Sequence, residues 1–141
     1  MVDQSAPEIL PPSLNDLQAL ADIAFATIPP ELARHVQGVA ILIEDFPDDE
    51  VARDMGLETP FDLLGLYSGV SLDHKSGGDA PTDLDRIFLY RRPILDYWCE
   101  TGEDLAHVVR HVLIHEIGHH FGFSDAQMDA IEAENDREAL L

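Results

Sequence analysis

Positive charge is the scarcest ingredient of this chain. Its 141 residues hold eight Lys+Arg against 28 Asp+Glu, a formal net charge of −20, and Lys75 is the only lysine. A nucleic-acid binder needs a basic footprint to displace counterions from phosphates, so no nucleic-acid partner is expected. The same shortage disfavours an anionic membrane surface. The acidity itself reads as a solubility surface. Cys99 is the only cysteine, so no internal disulfide can form, which suits a reducing compartment. No apolar run reaches the roughly eighteen residues that a membrane-crossing helix needs. The opening MVDQSAPEILPPS lacks the basic start and apolar stretch of a secretory signal. These absences together predict a cytoplasmic protein without a membrane partner.

What is present is ordinary for a globular protein: 45% hydrophobic and 26% charged residues. The length suits one domain with one modest core. Residues 1–12 carry Pro7, Pro11 and Pro12 without apolar periodicity and read as a flexible leader, leaving residues 13–141 as a single domain. Ser13 precedes Leu14, Leu17, Leu20, Ala21, Ala24 and Phe25, one apolar stripe on a helix that Pro29 and Pro30 end. Val39 to Ile43 is short, apolar and partly β-branched, and reads as a buried strand. Asp48 to Asp54 suggests a helical turn closed by Gly56.

Leu63 to Tyr67 fits either a strand or the lip of a cleft. Ser68 to Thr82, with Gly69, Gly77, Gly78 and Pro81, reads as a flexible loop bordering that cleft. Arg86 to Arg91 reads as another strand, whose Arg86 to Tyr90 offers an edge along which an extended peptide can pair. Pro93 to Cys99 suggests a short helix.

The most informative segment follows. Thr101 and Asp104 form a capping-box pattern. Leu105, Val108, Val109, Val112, Leu113 and Ile117 then give one apolar helix face running to about Phe121. Gly122 fits the left-handed position that ends a helix. Ser124 with Gln127 is a second capping-box pattern, opening a last helix with Met128 and Ile131 on one side and acids on the other.

Within this segment, His115 to Asp125 spells HExxHxxGxxD. Helical residues four apart lie on nearly the same face, so the imidazoles of His115 and His119 can converge on one ion. Glu116 is turned by about 100° from His115, so it can hold a water beside the ion without ligating. Catalytic zinc sites use three protein ligands and leave one position open. Gly122 reverses the chain, and Asp125 is the first strong ligand type to arrive after it. HExxH alone would arise by shuffling in about three such chains per hundred; Gly122 and Asp125 at fixed offsets lower that to roughly two per ten thousand. The expected site is therefore His115, His119 and Asp125 on Zn2+, with Glu116 as general base. A set of two histidines and an aspartate also accepts cobalt, nickel or manganese.

The segment resembles the gluzincin and metzincin metallopeptidases, and its aspartate is similar to that of snapalysin. It most resembles the minimal zincin-like family of small bacterial proteins carrying HExGHHxGxxD. In that family a strand–arginine–proline stretch like Arg86 to Pro93 precedes the motif. The resemblance implies a compact α+β domain, a small mixed sheet packed on the motif-bearing helix. It departs from metzincins at Met128, which follows Asp125 too closely to form their methionine turn and reads as core.

Other residues are read more plainly. His107 and His111 continue the histidine row as surface or partly buried polar residues, and His120 points away from His119. Cys99 lacks the glycine-leucine surroundings of the peptide deformylase cysteine and is not taken as a ligand. Tyr67, Tyr90 and Arg91 could donate to an oxyanion, but read as packing and solvated charge. The leading function is zinc-dependent hydrolysis of a peptide or protein substrate. The alternative is a non-catalytic zinc-binding domain with a structural or partner-binding role. A zinc-dependent endoribonuclease needs a third histidine and a basic groove, and this chain offers neither.

Overall fold

The computed structural model describes residues 9–69 and 85–139. Their elements run α1 (Leu14–Ala26), α2 (Pro30–Ala33), β1 (Ala40–Glu44), α3 (Asp49–Asp54), β2 (Gly65–Ser68), β3 (Arg86–Tyr90), α4 (Arg91–Thr101), α5 (Leu105–His120) and α6 (Asp125–Ala139), with a 3-10 turn at Pro60–Asp62. The architecture is α+β. A three-stranded mixed sheet, ordered β1-β3-β2, packs on α5.

Local chemistry accounts for most helix ends. Ser13 and Asp16 bond each other's backbone amides at 3.0 and 2.8 Å, satisfying two orphan donors at the start of α1. The amide of Val51 donates to the Asp48 carboxylate at 2.8 Å and starts α3. Three local expectations change. Pro30 does not merely end α1, because its fixed φ also suits the first turn of the short α2. The cap of α5 is Asp104 alone, whose carboxylate accepts from Ala106, while Thr101 is the last residue of α4. Beyond its expected limits, α4 extends in both directions. Pro93 is tolerated there because first-turn amides have no helical partner.

Sheet order overturns two further expectations. β3 is the central strand, parallel to β1 through Ala40↔Arg86 and antiparallel to β2 through Gly65↔Leu89. Arg86 to Tyr90 therefore offers no free edge for a peptide. The edge strand β1 alternates exposed and half-buried residues, with Leu42 37% exposed, so Val39 to Ile43 is not a buried strand. Its apolar run reflects partial cover on one side only. Of the expected loop from Ser68 to Thr82, residues 70–82 lie outside the described residues.

The core gathers around α5. Val108, Val109, Leu113, Ile114 and Ile117 have no exposed surface, and burial of each contributes about 1.5–3 kcal/mol. They meet Leu17 and Ala21 of α1 and Ile87 and Leu89 of β3. The motif-bearing helix is thus the most anchored element, so the side chains on its remaining face start from a fixed backbone. α6 closes over that helix at Gly118. A Cβ there would overlap the sulfur of Met128 and come within 2.8 Å of its Cγ. The missing side chain lets the two helices touch, and Met128 is fully buried core, as its position suggested.

Candidate metal centre

The turn between α5 and α6 is built from short-range bonds. The amide of Phe123 donates to Gly118 O at 2.8 Å and that of Gly122 to His119 O at 3.3 Å. Gly122 adopts φ +85°, where a Cβ would be strained. This is the Schellman closure of a helix C-terminus. Ser124 and Gln127 then cap α6 reciprocally, at 3.1 and 2.8 Å. Asp125, the first residue of α6, is thereby returned to the end of α5, and its Oδ1 lies 3.1 Å from His119 Nε2.

One ligand atom each from His115, His119 and Asp125 lies within 4.8 Å of the others. The structure thus brings together the three expected ligands. His115 is mostly covered, with 19% of its side chain exposed, whereas the side chains of His119 and Asp125 are 57% and 81% exposed. The donor set fits zinc: two imidazoles and a carboxylate, with solvent on the side where an open position is needed. Burial holds the pKa of His115 below the usual histidine value, and the neighbouring His111 and His119 add to that effect. His115 is therefore neutral near pH 7, the state that can coordinate.

Glu116 occupies a different setting. It faces the sheet side of α5, in a groove of about 210 Å³ lined with Leu66, Tyr67, His119 and His120. A Cβ at Gly65 would come within 3.2 Å of Glu116 Cγ and 2.9 Å of Val112 Cγ1, so β2 is pressed directly onto this turn of α5. Burial pushes the Glu116 carboxyl up to about 7, against the lowering effects of His119 and of the Tyr67 backbone amide. A carboxyl with that value exchanges protons readily near neutrality.

The candidates for oxyanion support are engaged elsewhere. The Tyr67 hydroxyl donates to Asp85 Oδ2 at 3.2 Å. Tyr90 is buried at 1% exposure. Arg91 donates from Nε to the Pro12 carbonyl at 2.6 Å and pairs with Asp45 at 3.0 Å. His120 stacks on the Tyr67 ring, centroids 3.9 Å apart, and so turns away from His119 as expected. Cys99 is exposed on α4.

The family can now be read from sequence and fold together. The sequence profile of the family described as zincin-like metallopeptidase matches residues 36–135. The chain belongs to that family. Among solved structures, the zincin-like chain is similar to a conserved hypothetical protein from Thermo thermophilus. The two share 25% identity with a TM-score of 0.50, over 77% of this chain and 94% of the other. No curated protein matches the chain. Among the described residues, no helix is long and apolar enough to cross a membrane.

Two further residues stand beside the motif. His111 Nδ1 lies 3.0 Å from Glu132 Oε2 and 2.8 Å from its Oε1. Glu132 Oε1 lies 3.6 Å from His115 Nε2. His111 is partly buried, one of the two settings expected for it, while the acids of α6 do not all face away from Met128. The available signal was spacing: Glu132 follows Met128 by four residues, which places it on the helix face that Met128 buries.

Proposed function

We propose that this zincin-like chain hydrolyses peptide bonds, with zinc held by His115, His119 and Asp125 and with Glu116 as general base. The observation that carries the reading is the setting of Glu116, a carboxyl pressed between α5 and β2 in the groove beside His119. A purely structural zinc site has no use for such a group. When bound, zinc supplies Lewis acidity that acidifies a water and polarises a carbonyl.

The chain's own residues supply the rest. His115 and His119, one turn apart on the most anchored helix, would hold the ion through their imidazole nitrogens. Asp125 adds a negative charge that partly balances the ion. Glu116 takes a proton from a water in the groove and returns it to the amine of the departing peptide fragment. Its burial keeps it basic enough for the first transfer and acidic enough for the second near neutral pH. Leu66 and Tyr67 form the wall against which a peptide lies.

The test is Glu116→Gln, which removes the base and keeps the size and helix propensity of the side chain. Hydrolysis of a broad peptide library should fall by about 10²–10⁴-fold, while zinc content and the circular dichroism spectrum stay as in the parent. If parent and variant both hold zinc and neither cleaves, a non-catalytic zinc-binding role replaces the peptidase reading. If the variant cleaves as well as the parent, Glu116 is not the base.

A further inference from the structure

Behind the motif, one turn earlier on α5, a second set of donors converges. One ligand atom each from His111, His115 and Glu132 lies within 4.8 Å of the others, and all three residues are half-buried. Two buried atoms meet there: His115 Nε2, which has no hydrogen-bond partner, and Glu132 Oε1, which His111 Nδ1 also approaches at 2.8 Å. They face each other at 3.6 Å, too far for a hydrogen bond. The His111 ring tilts over that of His115, centroids 4.1 Å apart. A buried polar atom without a partner is costly, so a His115 nitrogen turned toward a carboxylate oxygen that it does not bond needs an explanation. A cation between them supplies one: it would accept lone pairs from the imidazole nitrogen and the carboxylate oxygen together.

We infer that His111, His115 and Glu132 form a second site for a divalent transition-metal ion, which shares His115 with the motif site and competes with it. Two imidazoles and one carboxylate suit zinc, cobalt or nickel and offer little to calcium or magnesium, which prefer oxygen ligands. The competition follows from the nitrogens of one ring. Binding an ion at each nitrogen requires the imidazole to lose both protons, whereas a neutral ring serves one ion. An ion held by Glu132 therefore takes His115 from His119 and Asp125, and the chain binds a single ion at either of two positions. The second position is a parked state, in which Glu116 keeps its groove but no ion stands beside it. Helix packing makes the arrangement possible, because contact at Gly118 and Met128 brings α6 near enough for Glu132 to reach α5.

This inference does not depend on peptidase activity, and its test reads metal binding alone. The double variant His119→Ala/Asp125→Ala, without a histidine tag, removes both ligands belonging only to the motif site. Both side chains are mostly exposed, so the fold should persist, as circular dichroism would verify. Titration with cobalt(II), followed by its visible absorption, should show about one ion per chain in this double variant. Adding Glu132→Gln should weaken that binding at least tenfold, about the smallest loss that even an outer-shell partner produces. Adding His111→Asn instead should do the same, which guards against a folding defect in either triple variant. In the parent, saturation should come at one ion per chain. No cobalt binding by the folded double variant overturns the inference. Equal binding by the double variant and both triple variants overturns it as well. Two ions per parent chain would overturn the competition for His115.

Discussion

Replacing Gly118 by alanine tests whether contact between α5 and α6 is as close as the structure shows. On helix propensity alone the change should stabilise by about 1 kcal/mol, because glycine is a poor residue inside a helix. The added methyl, however, would overlap the Met128 sulfur and approach Met128 Cγ at 2.8 Å. Met128 has no exposed surface and thus little free space to retreat into. Overpacking of a dense core costs about 1–3 kcal/mol, so the net change should be destabilising by about 0–2 kcal/mol. The sharper readout is coupling with Met128→Ala. Alone, that truncation should cost about 2–5 kcal/mol. In the Gly118→Ala background it also removes the clash, so its cost should drop by about the overpacking energy. Urea unfolding of the four proteins in excess chelator would measure the cycle free of metal linkage. A stabilised Gly118→Ala with no coupling to Met128 would show that α6 stands farther from α5.

Two other outcomes follow from close contacts and caps. Gly65→Ala should destabilise by about 1–3 kcal/mol, since its methyl would meet Val112 Cγ1 at 2.9 Å, Phe88 O at 3.1 Å and Glu116 Cγ at 3.2 Å. Peptide cleavage should fall with zinc content unchanged, as thermal unfolding and metal analysis would check; parental stability would mean that β2 is not pressed on α5. The backbone amide and hydroxyl of Ser13 hold the Asp16 carboxyl below the usual carboxylate range. Since the folded pKa is the lower one, the stabilisation is present above an unfolded value of about 3.9. It is lost as pH falls through the native value. Asp16→Asn should therefore lower stability at neutral pH and narrow its difference from the parent in acid, and an acid titration with an undiminished difference would refute that.

The motif helix and its turn were legible because everything that shapes them is local. The Gly122 reversal, the Ser124–Gln127 cap and the convergence of His115, His119 and Asp125 depend on backbone period and near neighbours. Existence of the strands was legible too, but not their order. Arg86 to Tyr90 becomes the central strand only because β1 and β2 pair on either side of it, and no local pattern encodes that choice. Val39 to Ile43 misled for the same reason: a short apolar run looks alike in the middle of a sheet and at its rim. His111 was legible as a surface or partly buried residue and Glu132 as one acid of the last helix, but not their pairing, which joins two helices. Only the packing of α6 on α5 shows that both face inward.

The Schellman turn has a consequence for how the two halves of the site respond to disorder. Everything that carries Asp125 back to His119 lies between Gly118 and Gln127, so this corner behaves as a cassette that needs little from the rest of the chain. Glu116 has no such autonomy, because its altered acidity comes from the cover that β2 provides. Loosening the sheet edge would leave the three donors close together while Glu116 reverted to an ordinary surface acid. Under the proposed reading, holding an ion and activating water would be separable properties of this small fold, one set by the motif helix and its turn and the other lent by a strand.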